Sequence, residues 1–126
     1  MDCACGWQWL SVRLGVLALM AGTFTAAVLA DGQVASAKGT LYTVPVSTIA
    51  YVYNIRLCNT NAVVQDVDVF LNTSGTSRQI ARISLAQWES ADVLSQPMHL
   101  AAGDLIEADT ITASAVDYVI TGVLET

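Results

Sequence analysis

His99 is the only histidine in the 126-residue chain, so any Ser-His-Asp or Cys-His relay would have to run through it. Such a relay needs a nucleophile presented on a sharp turn beside the base, and the sequence holds no G-x-S-x-G elbow or equivalent motif. Next to Pro97, His99 reads as a surface or partly packed side chain. Asp66 and Asp68 could offer oxygen ligands to Ca²⁺, but the further ligands, enforced glycine and closing Glu of an EF-hand are missing. On a strand, acids spaced two apart share the outer face and solubilise it, and they discourage edge pairing. Asp104, Glu107 and Asp109 form a second acidic group whose geometry the sequence leaves unfixed, so carboxylate-pair hydrolysis does not follow from it. Cys3 and Cys5 form C-x-C with no zinc-finger partner, and Cys58 reads as a small apolar group inside a strand. Catalytic, cofactor-binding and metal residues are therefore expected to be absent, and the chain is expected not to be an enzyme.

Aromatic side chains offer a different chemistry, contact with a partner or a glycan. Tyr51 and Tyr53 alternate with Ile55 and Leu57, which predicts a core face for all four, while Tyr42 and Tyr118 lie on other strands. Trp88 lies among polar residues and is the better contact candidate.

The elements that must position these residues are strands. The chain is 54% hydrophobic and 13% charged, a composition that folds rather than stays disordered. Its net charge is −6 and its five basic residues are scattered, which argues against nucleic-acid binding, since that needs a cationic stripe along the phosphates. Period-two alternation predicts strands at Thr40–Val44, Ala50–Cys58, Ala62–Leu71, Arg78–Leu85, Leu105–Ala108 and Val116–Leu124. The last is apolar on both sides and should be central. Asn59-Thr60-Asn61 predicts a hairpin, Asn72–Ser77 an exposed loop tip, and Ser84–Leu94 a short helix or a further strand. Frequent turns and no long amphipathic helix predict one all-β domain over residues 39–126, an antiparallel sandwich or jelly roll.

Residues 1–38 form an apolar leader or arm. Leu14–Ala30 carries no charge, and three readings stay open. It is a secretory signal with cleavage near Ala30 or Ala37, a membrane anchor at the short end of a spanning helix, or part of an upstream extension ahead of a true start at Met20.

Four segments in order, Leu41-Tyr42-Thr43-Val44-Pro45, Asn54–Thr60 (NIRLCNT), Leu100–Ile106 (LAAGDLI) and Tyr118–Glu125 (YVITGVLE), resemble the small β-sandwich virion proteins of tailed bacteriophages. The resemblance spans Gly39–Glu125 and implies a structural role without catalytic residues: a capsid decoration or cement subunit, or a tail-associated one. It implies other virion proteins as partners and a homo-oligomer, a trimer in the cement case, and it favours the start at Met20 or an arm packed on a neighbouring subunit. The rival reading is a secreted or periplasmic β-sandwich that binds a protein or glycan, suggested by the leader and Trp88.

Overall fold

The structure, a computed structural model, describes residues 23–126. Nine strands follow one another: β1 (Phe24–Gln33), β2 (Gly39–Thr43), β3 (Ile49–Asn59), β4 (Gln65–Thr73), β5 (Thr76–Leu85), β6 (Ser90–Asp92), β7 (Met98–Leu100), β8 (Leu105–Asp109) and β9 (Val116–Glu125). Their pairing is nested. β4 pairs with β5, β3 with both β6 and β7, β2 with β8, and β1 with β9, all antiparallel. Rolling this ribbon sets β9 beside β3 and β8 beside β4, which gives two sheets, β1-β9-β3-β6/β7 and β2-β8-β4-β5. That is a jelly roll, in which the residues around Pro97 split one strand position into β6 and β7.

Alternation decides what lies between the sheets. Ala50, Val52, Ile55 and Leu57 of β3, Val67 and Val69 of β4, Ile106 and Ala108 of β8, and Val116, Tyr118 and Ile120 of β9 meet in one buried core. Each fully buried Ile, Leu or Val contributes about 1.5–3 kcal/mol relative to exposure. β9 lies between β1 and β3, the central place its two apolar faces require. Val67 and Val69 point inward while Asp66 and Asp68 point out.

Several expectations are corrected. The sandwich begins before residue 39, because Phe24–Gln33, inside the supposed leader, forms β1 and pairs with β9 along its length. The second half of the apolar run is thus an edge strand, and cleavage at Ala30 or Ala37 would remove it. Residues 14–22 lie outside the described residues, and among those described no helix is long and apolar enough to cross a membrane. Asn59–Asn61 does not close a hairpin, since β3 and β4 belong to different sheets and the chain crosses between them there. The hairpin lies one connection later: Thr73 pairs with Thr76 across Ser74 and Gly75, both at positive φ (53° and 82°), the geometry of a two-residue turn matched to strand twist. Ser84–Leu94 holds no helix; it is the end of β5, a turn and β6.

Tyr51 and Tyr53 do not share the core face of Ile55 and Leu57. The β3–β9 register shifts between Val52 and Asn54, so Tyr53 is an extra, bulged residue and the alternation inverts across it. Val52 is fully buried, Tyr53 is exposed, and Tyr51 lies on the outer face, where its hydroxyl donates to Glu125 at 2.7 Å. The bulge presses the β3 backbone against β9. A Cβ at Gly122 would collide with the Tyr51 carbonyl oxygen and lie 3.0 Å from Val52 Cα. Gly122→Ala should therefore destabilise the protein by about 2 kcal/mol or more, since rigid backbone rather than a flexible side chain must yield. Chemical denaturation of the variant beside the wild type checks this.

Candidate interaction surface at one end of the sandwich

β1, β3, β5 and β8 all finish at the same end of the sandwich, so the loops 34–38, 60–64, 86–89 and 110–115 cluster there. Buried polar side chains tie them together. Asn59, fully buried, donates from Nδ2 to the carbonyls of Val63 (3.0 Å) and Leu85 (2.9 Å), and its Oδ1 accepts the Asn61 N–H at 2.8 Å. Gln65, also fully buried, accepts at Oε1 from the Thr110 hydroxyl (3.1 Å) and the Thr112 N–H (2.9 Å), and donates to Thr112 Oγ1 at 3.2 Å. A buried amide without partners costs about 1–3 kcal/mol per unsatisfied group, so these networks hold the loops in one arrangement. Sequence reading missed both residues. Asn59 was legible as turn chemistry, but a polar side chain buried by neighbours from distant loops leaves no local signal.

On this framework stand apolar side chains that face water: Val63, Val64, Trp88 and Ile111. Trp88 is 68% exposed and occupies the third position of the turn Ala86–Glu89, closed by the Glu89 N–H to the Ala86 carbonyl at 3.0 Å. Its φ is +64°, a left-handed conformation that costs a bulky residue energy and that glycine adopts freely. The turn is held in place by the Trp88 N–H to the Asn59 carbonyl (2.7 Å) and the Asn59 N–H to the Glu89 carbonyl (3.0 Å). A large apolar ring in a strained turn, kept out of the core, suits docking against another surface. The expectation for Trp88 as a contact residue thus has a geometry.

The other singled-out residues fall elsewhere. His99 lies on β7, exposed, with its ring edge-on to Tyr51 at 5.2 Å between centroids. Tyr42 and Tyr118 are packed at the sheet interior side, and burial raises both phenol pKa values. Asp104 caps its own turn, accepting the Ala101 N–H at 2.9 Å. Glu107 accepts from Ser77 Oγ at 2.8 Å, and Ser77 in turn accepts from Lys38 Nζ at 3.2 Å. Asp66 and Asp68 do not act together; Asp68 instead faces Asp109 across the β4–β8 ladder and bonds Arg82 at 3.2 Å. Among the described residues no group of three or more His, Cys, Asp or Glu is placed to hold a metal ion. Cys58 is a free, half-buried thiol on the outer face of β3, opposite Asp117, not a core residue; Cys3 and Cys5 lie outside the described residues.

No protein-family model matches the chain, and no curated protein does. Among solved structures, a subunit of the disulfide-linked pili that form Bacillus endospore appendages superposes with a TM-score of 0.50 at 15% identity, over 82% of this chain and 88% of that one. A pentameric capsid protein from metagenomic phage sequences superposes with a TM-score of 0.37 at 16% identity, over 84% of this chain and 67% of that one. Infectious bursal disease virus, Gt strain, gives 0.34 at 12% identity, over 81% and 32%. At these identities the likeness is one of fold, and only the pilus subunit is near enough to establish even that.

Trp88→Gly separates the two roles the site implies. Thermal stability should hold or rise, by up to about 1 kcal/mol from relief of the left-handed strain, while association with other subunits or partners weakens. Melting curves and sedimentation on the same sample check both halves. Asp109 gives a pH signature: burial first, then the hydrogen bond and charge of Asp68, hold its carboxyl above the usual value of 3.8, with Arg82 and Lys38 opposing more weakly. A raised folded pKa means the proton is held more tightly in the folded state. Its stabilising contribution is complete below the ordinary carboxylate range and is lost as pH rises through the folded value. Asp109→Asn should raise the melting temperature near neutral pH and leave it unchanged in strong acid.

Proposed function

We propose that this chain is a non-enzymatic structural subunit of a tailed-phage virion, a capsid decoration or cement protein or a tail-associated one, and that it works by self-association and docking. The observation that carries the reading is the Trp88 loop end. An acidic chain holds large apolar side chains rigidly in water, on loops fixed by buried Asn59 and Gln65. Exposed apolar clusters of this kind mark contact surfaces rather than solvated ones.

The ordered segments from Leu41 to Glu125 support the virion assignment, and the jelly roll supports a building-block role, because that fold recurs in capsid proteins. The same fold serves in the disulfide-linked endospore pili. A filament subunit is therefore the second reading, favoured by the half-buried free thiol of Cys58.

Sedimentation of the full chain over a range of concentrations should show species well above the 13.3 kDa monomer, a trimer in the cement arrangement. Antiserum against the chain should label phage particles, over the head for decoration or over the tail for a tail component. A monomer at every concentration, together with unlabelled particles, would overturn the proposal.

A further inference from the structure

The outer faces of the two sheets differ in chemistry. That of β2-β8-β4-β5 carries Asp66, Asp68, Glu107 and Asp109. On β1-β9-β3 the register places Phe24, Val28, Val119, Val123, Tyr51 and Tyr53 outward, and of these Phe24, Val28, Tyr53 and Val119 are exposed. Most acids on this second face have local partners: Glu125 accepts from Tyr51, Asp117 from Gln33 at 3.2 Å, and Asp92 from Asn54 and Arg56, each at 3.0 Å. In a chain of net charge −6, a like molecule meets least repulsion on this side.

From that asymmetry we infer that the outer face of β1-β9-β3 is a two-fold docking face for a second copy of the chain, a deepening that rests on the self-association proposed above. The rows across the sheet are complementary to their own reverse. Asp31, Val119 and Arg56 lie in one row, as do Ala26, Val123 and Tyr51. A two-fold axis running along β9 lays β1 of one copy over β3 of the other. Asp31 then lies opposite Arg56, and the small Ala26 lies opposite the large Tyr51. Val119 and Val123 meet their own counterparts at the centre. An isologous contact requires this kind of self-complementarity, opposite charge on opposite charge and small on large. Asp31, without a side-chain partner among the described residues, gains one in the pair.

The test uses the full chain. Val119→Lys should weaken self-association by about tenfold or more, the factor that roughly 1.4 kcal/mol represents, with an unchanged melting temperature for the monomer. Asp31→Arg and Arg56→Asp should each weaken it, and the double reversal should restore it. Should either single variant fail to fold, Val119→Lys decides alone. If the Val119→Lys protein associates like the wild type while Trp88→Gly does not, the loop end carries self-association; this inference is then overturned and the structural reading stands. If Val119→Lys instead lowers the melting temperature of a wild-type monomer, a segment of the same chain covers the face and the second copy is excluded. A wild type that stays monomeric without any such effect removes both this face and the self-association it rests on.

Discussion

β3 and β9 run side by side from Ile49–Glu125 to Asn59–Val116, and the whole molecule is arranged around that ladder. It forms the middle of the larger sheet, supplies half of the core, and carries β1 on one side and β6 and β7 on the other. Its defect matters as much as its regularity. The bulge at Tyr53 forces the two backbones together at Gly122, where no side chain fits, and reverses which residues of β3 look inward. Without it, Tyr51 would share the side of Ile55 and Leu57, and Ala50 and Val52 would face water. With it, the core is closed by small and branched side chains while the tyrosines remain outside.

Two consequences reach the surface by different routes. On the sheet face, the bulge adds Tyr53 and Tyr51 to a row of apolar residues contributed by β1 and β9. At the loop end, the crossing from β3 to β4 brings Asn59 into the interior, and its amide supports the strand end at Leu85 and the loop at Val63. Its backbone holds the Trp88 turn through two hydrogen bonds. The loop-end surface therefore depends on where β3 ends, and the sheet-face surface on where β3 kinks.

Charge is distributed to match. Asp68 and Asp109 are pushed together on the opposite outer face, where Arg82 and Lys38 relieve them only in part. Like charges held side by side lower stability at neutral pH, yet they mark that face as one that stays in water. The apolar and the acidic sheet faces thus give the sandwich a front and a back.

Sequence alone determined that the chain is all-β, because alternation in β3, β4 and β9 and the turn residues between them are local properties of a pleated chain. It determined that β9 is central, from its two apolar faces, and that Trp88 stands outside, from its polar neighbours. Four things needed the tertiary structure. β1 was read as part of a leader because a short apolar run carries no mark of the strand it pairs with. The sides taken by Tyr51 and Tyr53 were inverted because a bulge arises from the partner backbone and Gly122, sixty-odd positions along the chain, and not from the residues on either side. The pairing of Asp68 with Asp109, and the burial of Gln65 by Thr110 and Thr112, join residues that only the rolled ribbon makes neighbours. Periodicity fixes which way a side chain points relative to its own strand; which strand, loop or charge it then meets is decided by closure of the two sheets.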